Sequence, residues 1–321
     1  MKLNQLREVV SIAEQGSIRA AARQLAIGQP ALTRSLAELE RELGASLFER
    51  RSRGVVATPL GQLFLRRAAL IVHEMRRARE EVEQFGGSTT GTVTAGLSIA
   101  THLALLPGAL QPFTRRFPDA KLHIIEGLYP TLEPGLRTGS VDFYLGVDPG
   151  KTVAPELTRE VISQNSRTVL CRFGHPLQAA TKLAALTEVR WATNSIMLAD
   201  EDEIGALFQQ HHLPPPRIGL RSQSALTLMI CLLNSDFMAI VPVQWTESAL
   251  AKGRLATVSV REELAAPPVV LIKRADLVLT PAARCFLDLL QRSRLYPPAP
   301  SAMAPGRRRL TNPAAAGPTI R

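Results

Sequence analysis

"RQLAIGQPALTRSLAELERELG", running from Arg23 to Gly44, decides how the first part of the chain must fold. Two runs of apolar residues at helical spacing meet at Gly28-Gln29-Pro30 with almost nothing between them. Upstream, Leu3, Leu6, Val9, Val10 and Ala13 keep helical spacing and stop at Gly16, and Ser17 is placed to cap a helix whose stripe is Ile18, Ala21, Ala22 and Leu25. The alanines allow a second helix to approach closely. Gly28 reads as the residue that ends this helix, and Pro30 suits the first turn of the next. That next helix is expected to bury Leu32, Leu36, Leu39 and Leu43 and to show Gln29, Thr33, Arg34 and Ala37 on its opposite face. Two helices joined by a tight turn, the second leading with short polar groups, match helix-turn-helix geometry. Gln and Arg can bond base edges through two donors or acceptors at once, and Thr can bond or pack against a thymine methyl. The same pattern also fits a plain helical hairpin with a solvated face.

The residues that follow favour the first reading. "ASLFERRSRGVVATPLGQLF" places the anchors Leu47 and Phe48 before Arg50, Arg51 and Arg53, and a β-like "GVVAT" follows from Gly54. A basic hairpin of this kind reads as a wing against phosphates or the minor groove. Thr58-Pro59 then supplies an N-cap and a first-turn proline. From there Phe64, Ala68, Ile71, Met75, Ala78, Val82 and Phe85 alternate by four and three, an a/d seam flanked by Arg and Glu. A narrow stripe on so long a helix points to dimerisation, which suits a reader of two half-sites. Packing on the chain's own second domain is the competing arrangement.

Residues 1–87 resemble the N-terminal region of the LysR-type transcriptional regulators. The resemblance is carried by "GSIRAAARQLAIGQPALTRSLAELERELGASLFERRSRGVVATPLG", with "AA", "QPAL", "LE", "LG", "LF.R" and "T..G" at the family's spacings. It implies Gln29, Pro30, Thr33 and Arg34 at the DNA-facing helix start, with Arg53 in the wing. Gly28 and Thr33 stand where the family usually has Ser.

After Gly86-Gly87-Ser88-Thr89-Thr90-Gly91, a hinge by composition, strands alternate with helices. Strands are expected at 93–97, 122–125, 141–145, 168–171, 218–221, 238–241 and 269–273. Helices are expected at 102–116, 132–138, 203–211, 225–233, 244–252 and from Pro281 to Ser293. This order argues for parallel α/β sheets in two lobes, the last strand and helix returning to the first lobe. Residues 91–295 resemble the effector-binding domain of the same family, "FTRRFPDAKLHIIEG" and "LRTGSVDFYLG" being the clearest matches. The expected architecture is multidomain: residues 1–58 an all-α winged helix-turn-helix, 59–87 the dimerisation helix, 88–91 a hinge, and 92–295 a two-lobed α/β domain like periplasmic solute-binding proteins. Residues 296–321 are expected to form a disordered basic tail.

Ligands of open α/β sheets sit beyond the carboxyl ends of strands. That rule selects Ser98 and Thr101 at a helix start, Leu128, Tyr129 and Pro130 after the next strand, and Ser195 and Gln223 in the second lobe. Hydroxyls and free N–H groups at a helix start favour an anion. The expected effector is therefore a small carboxylate or sulfonate.

Composition narrows the field further. The net charge is +10, but the tail's Arg307, Arg308, Arg309 and Arg321 supply four of those charges. The 3 cysteines are scattered, with no CxxC, and 45% hydrophobic content supports a sizeable core. No signal peptide and no spanning segment are read, so the cytoplasm is the expected compartment and no membrane partner is expected. "GVDPGKT" (146–152) falls one residue short of a phosphate loop; GxSxG, HExxH and GxGxxG are absent; His211-His212 cannot face one metal. No enzyme, cofactor or metal is expected. The function read is an effector-controlled transcription regulator bound to double-stranded DNA as a dimer or, by resemblance, a tetramer, acting on RNA polymerase. An architectural DNA-binding protein with an oligomerisation domain is the alternative, as is a solute-binding module fused to a partner-binding domain.

Overall fold

The structure is a computed structural model that describes residues 1–52, 54–194, 203–248 and 251–293. Its first unit comprises α1 (Leu3–Gln15), α2 (Ile18–Gln24), α3 (Gln29–Leu43), β1 (Phe48–Arg51) and β2 (Gly54–Ala57), followed by the long α4 (Pro59–Phe85). The first turn comes as read: Gly16 takes the left-handed conformation at φ 60, and the Ser17 hydroxyl accepts from the Ala20 N–H. The second turn differs. Ala26, not Gly28, carries the positive φ of 54, while Gly28 is extended and serves as the N-cap of α3. Leu6, Val9, Ile12, Ala21, Ala22, Leu32, Leu36, Leu39 and Leu47 close one apolar core, each fully buried leucine adding about 2 kcal/mol. Leu43, expected inside, is exposed at 39%, because the core ends one turn earlier at Leu39.

The wing is an antiparallel pair, Phe48 opposite Ala57 and Arg51 opposite Gly54. Glu40 holds its start, its carboxylate accepting from the Leu47 N–H at 2.6 Å. At its end, Thr58 donates to the Ser46 carbonyl at 2.7 Å and accepts from the Gly61 N–H at 2.8 Å. The Thr58 N–H bonds the Leu47 carbonyl at 2.9 Å. A Cβ on Gly61 would stand 1.9 Å from that same carbonyl oxygen. The "T..G" spacing is therefore a packing requirement where the wing meets α4.

α4 divides its faces. Phe64 and Ala68, read as part of a dimer seam, pack into their own domain's core with Leu65 and Val72, Ala68 being fully buried. Met75 is half-buried. The far half of the helix lies on the second unit. There Arg77 is buried against Asp142, and Gln84 accepts from the Ala282 N–H at 3.0 Å and donates to the Thr90 carbonyl at 2.8 Å. The glycine-rich segment read as a free hinge is held as well, by the Ser88 N–H on the Glu83 carbonyl and by Thr89 on Asp119.

The second unit has two lobes. Lobe 1 contains β3 (Gly91–Leu97), α5 (Ile99–Arg116), β4 (Ala120–Glu126), α6 (Tyr129–Thr138), β5 (Phe143–Val147) and β6 (Leu157–Ser163). Lobe 2 contains β7 (Arg167–Arg172), β8 (Arg190–Thr193), α7 (Glu203–Gln210), β9 (Arg217–Arg221), α8 (Ala225–Asn234), β10 (Ala239–Pro242) and β11 (Leu255–Val258). The chain then returns to lobe 1 with β12 (Val269–Arg274) and α9 (Pro281–Arg292). Lobe 1 orders its strands β4-β3-β5-β12-β6, and lobe 2 has β10-β7-β11 and β8-β9, tied by a Trp191–Met238 bridge.

The sheets are mixed rather than parallel. β3 runs parallel to β4 and β5, but β12 is antiparallel to β5 and β6, and β7 is antiparallel to both neighbours. β6, β8 and β11 were not read from sequence, since their short, partly exposed patterns carry little periodic signal. The helix expected at 244–252 is a single 3-10 turn, Val243–Glu247. The segment read as a basic tail lies outside the described residues. No helix among the described residues is long and apolar enough to cross a membrane.

Gly61→Ala should destabilise the winged unit by about 2–3 kcal/mol, read as a lowered urea midpoint; an unchanged midpoint would contradict the close wing–α4 contact. Burial, then the Arg76 and Arg77 charges, lower the His73 imidazole from 6.5 to about 4. Between those values the unfolded chain takes up a proton that the folded chain does not. Stability present above pH 6.5 therefore falls as the pH drops toward 4, by up to about 3 kcal/mol. His73→Gln should flatten this part of the pH–stability curve; an equal acid loss in the variant would place the effect elsewhere.

Candidate functional site

α3 begins at an extended glycine and opens with Gln29 and Pro30, so its first turn projects free of the core. Gln29, Pro30, Arg34 and Ala37 are exposed, and Thr33 is half-buried with its hydroxyl donating back to the Gln29 carbonyl at 2.9 Å. Thr33 therefore offers an acceptor and a methyl rather than a free proton. Arg50 is exposed in β1, and neither it nor Arg34 forms an ion pair among the described residues. The neighbouring Arg51 does, with Glu49 at 2.7 Å. Arg53, the expected wing contact, lies outside the described residues. The arrangement is a polar helix end with unneutralised guanidinium groups beside a two-stranded hairpin.

Along α4 the remaining expected seam residues face out. Ile71, Val82 and Phe85 are exposed, as is Ala78, and Leu60 falls on the same stripe. Phe85 is 84% exposed at the helix end. A run of this kind is an uncovered apolar surface rather than scattered leucines.

In lobe 1, Leu97, Glu126 and Leu145 stand at matched positions of β3, β4 and β5, so the loops beyond them converge at one sheet end. The Ser98 N–H bonds the Leu145 carbonyl at 3.2 Å, and the Gly127 N–H bonds the Leu97 carbonyl at 3.1 Å. Ser98 caps α5 by position, with no side-chain cap bond. Thr101 is fully buried, its hydroxyl donating to the Leu145 carbonyl at 2.7 Å, so it ties α5 to β5 and does not offer a donor to a ligand. Tyr129 is likewise a core residue. It packs edge-on to Tyr144 at 6.1 Å within a cluster with Leu132, Leu136 and Ile272. Leu128 is half-buried and Pro130 exposed at the start of α6, and Gln223 is exposed before α8. Ser195 lies outside the described residues.

Residues that motif reading missed stand where the lobes meet. α5 faces both: Leu105, Ala109 and Phe113 enter the lobe 1 core, while Ile99 and Leu103 pack on the lobe 2 cluster around Trp245. The crossover after β6 runs beside the 3-10 turn, the Val243 N–H bonding the Ser166 carbonyl at 3.1 Å. Here Ser163 Oγ, both amide atoms of Asn165, Gln244 Oε1, Trp245 Nε1 and, on the first turns of α5, His102 Nδ1 are buried without hydrogen-bond partners among the described residues. Buried polar groups left unbonded cost about 1–3 kcal/mol each, so these atoms need a partner, ordered water or a ligand, at this junction. No spacing rule joins residues 102, 163, 165 and 244, which only the fold brings together.

Comparison with known proteins agrees with this division. Residues 3–62 match the model for the bacterial regulatory helix-turn-helix protein, lysR family, and residues 86–294 match the LysR substrate binding domain. Among relatives, the HTH-type transcriptional regulator GbpR of Azospirillum brasilense is 27% identical over 294 residues, spanning 91% of this chain and 86% of that protein. The HTH-type transcriptional regulator TdcA of Escherichia coli K12 is 23% identical, spanning 89% of this chain and 91% of that one. Among solved structures, full-length CbnR complexed with its target DNA superposes with a TM-score of 0.64 at 22% identity, covering 92% of this chain and 100% of that one. A full-length OxyR variant from Pseudomonas aeruginosa gives 0.67 at 21% identity over 91% of this chain and 94% of that one. With both halves of the chain matched, and with the helix end, wing and two-lobed domain in place, the protein belongs to the LysR family of DNA-binding transcriptional regulators, each carrying an effector-binding domain.

Proposed function

We propose that this regulator binds a dyad-symmetric operator as a dimer or tetramer, and that a small anionic molecule held between its lobes controls that binding and the contact with RNA polymerase in the cytoplasm. The observation that carries the DNA-reading part is the free polar start of α3, Gln29 to Arg34, set beside the wing with Arg50. Pairing of two chains through Ile71, Ala78, Val82 and Phe85 would cover the apolar stripe of α4 and place two such helix ends about a dyad.

For the effector, the first turn of α5 supplies backbone N–H groups, a setting that favours a carboxylate or sulfonate, while Ser98 itself is fully buried with its hydroxyl 3.3 Å from that of Thr101. The neutral groups of Asn165, Gln244 and Ser163 would take the ligand's uncharged polar end. A purely architectural protein would have no use for unbonded polar groups at the meeting of two lobes, which favours the sensing role. A ligand acts here only through unequal affinity for two arrangements of the assembly.

Selection from a random duplex library should enrich a partly palindromic motif. On that motif Arg34→Ala should lose ~1–3 kcal/mol, and an equal loss on random DNA would place Arg34 on phosphate. In thermal melts of the full chain, carboxylates should raise the midpoint and Gln244→Met should suppress the rise; selective stabilisation by neutral sugars would overturn the anionic class.

A further inference from the structure

We infer that α3 reads the 5-methyl groups of thymines in its half-site through an apolar strip made of Pro30, the Thr33 methyl and Ala37. This rests on the reading of α3 as the DNA-reading helix, and it names the base feature that the middle of that helix takes.

The strip follows from spacing. Residues three and four apart are neighbours on a helix surface, so Pro30, Thr33 and Ala37 stand in one row along α3. At about 100° per residue, Gln29 falls on one side of that row and Arg34 on the other. Pro30 and Ala37 are exposed and Thr33 is half-buried, all three off the face that Leu32, Leu36 and Leu39 turn to the core.

Two local features keep the row apolar. The Thr33 hydroxyl donates to the Gln29 carbonyl at 2.9 Å, so the branch left to present is the methyl. A threonine at this place could bond a base or pack on one, and the committed hydroxyl selects packing. Gly28 puts no side chain beside Pro30, where a Cβ would meet only the Pro30 Cδ, at 3.8 Å. Its φ of -68 and ψ of 134 are open to any residue, so no backbone strain calls for glycine there. The effect of the missing side chain is to leave the proline ring bare.

Such a row needs an apolar counterpart, because covering a base's donors and acceptors with apolar groups strands them without hydrogen bonds. The thymine methyl is the apolar feature that base edges present in the major groove. From Pro30 to Ala37 the helix rises about 10 Å, against about 3.4 Å per base step, so the row faces up to about three consecutive pairs. Gln29 and Arg34 are left to bond the polar edges on either side, adenine and guanine being the bases each can bond twice. The thymines therefore lie between the bases taken by Gln29 and by Arg34.

The test uses the full chain and duplexes carrying the motif enriched from the random library. Each thymine of one half-site is replaced in turn by deoxyuridine, which removes the methyl and keeps every hydrogen-bonding group. The parent protein should lose about fourfold in affinity at one or more of these positions, the worth of one buried methyl. At one of them Thr33→Ser should bind the thymine and deoxyuridine duplexes alike. Thr33→Val, which keeps a methyl and drops the hydroxyl, should still tell them apart. Equal binding of all the deoxyuridine duplexes by the parent overturns the inference, and this comparison needs no altered protein; the motif and its dependence on Arg34 would stand. Discrimination that survives Thr33→Ser at every thymine, or vanishes in Thr33→Val, overturns the assignment of the Thr33 methyl. A library that yields no motif removes α3 as a sequence reader, and the inference falls with it.

Discussion

A helix of 27 residues, about 40 Å long, cannot bury itself, and the rest of this structure depends on how α4 distributes its surface. One flank near its start completes the winged core, and one flank near its end lies on lobe 1. The stripe between them, from Leu60 to Phe85, is covered by neither. The three demands differ in chemistry. Small and aromatic groups, Ala68 and Phe64, fill the core, a buried guanidinium joins lobe 1, and plain apolar groups remain on the open face. That segregation lets one element serve as support, connector and contact surface at once.

The second constraint is the double crossing between the lobes. β12 enters lobe 1 between β5 and β6, so the last strand of the domain is flanked on both sides by strands made much earlier. The insertion forces antiparallel pairing on both sides and brings α9 against α5, where Phe113 and Phe286 meet edge-on at 5.0 Å. Lobe 1 is thereby closed by distant sequence. The junction that results holds unbonded polar atoms beside the apolar contacts of Ile99 and Leu103. Hydrophobic contact beside unsatisfied hydrogen-bonding groups gives a place that is closed to bulk solvent yet specific for a partner with matching donors and acceptors.

Much of the winged unit was legible in the chain because its signals are local. Caps at Ser17 and Thr58, the Gly16 turn, paired alanines and a basic hairpin each act within a few residues. The interior spacing of Leu32, Leu36 and Leu39 has only one helical solution. The errors there are also local ones. Ala26 takes the left-handed turn that a glycine was expected to take, and Leu43 lies beyond the core's edge. In the second unit, strands β3, β4, β5 and β12 were readable as apolar runs. The edge strands β6 and β11 were not, since β6 is mostly exposed and β11 is only four residues long.

By itself, then, the sequence determined that the chain has a helix-turn-helix with Gln29 and Arg34 at its free end, a long striped helix, and an α/β unit after it. Periodicity, capping and composition suffice for each, because the physics involved spans a turn or two of backbone. Tertiary structure alone decided that Phe64 and Ala68 turn inward, that Thr101 bonds the Leu145 carbonyl and Tyr129 packs among Leu132, Leu136 and Ile272, and that Arg77 meets Asp142. It alone brought Ser163, Asn165 and Gln244 to one junction. Those outcomes depend on which distant surfaces come to share a core, and the exclusion of water that gives each contact its energy exists only once the chain has closed on itself.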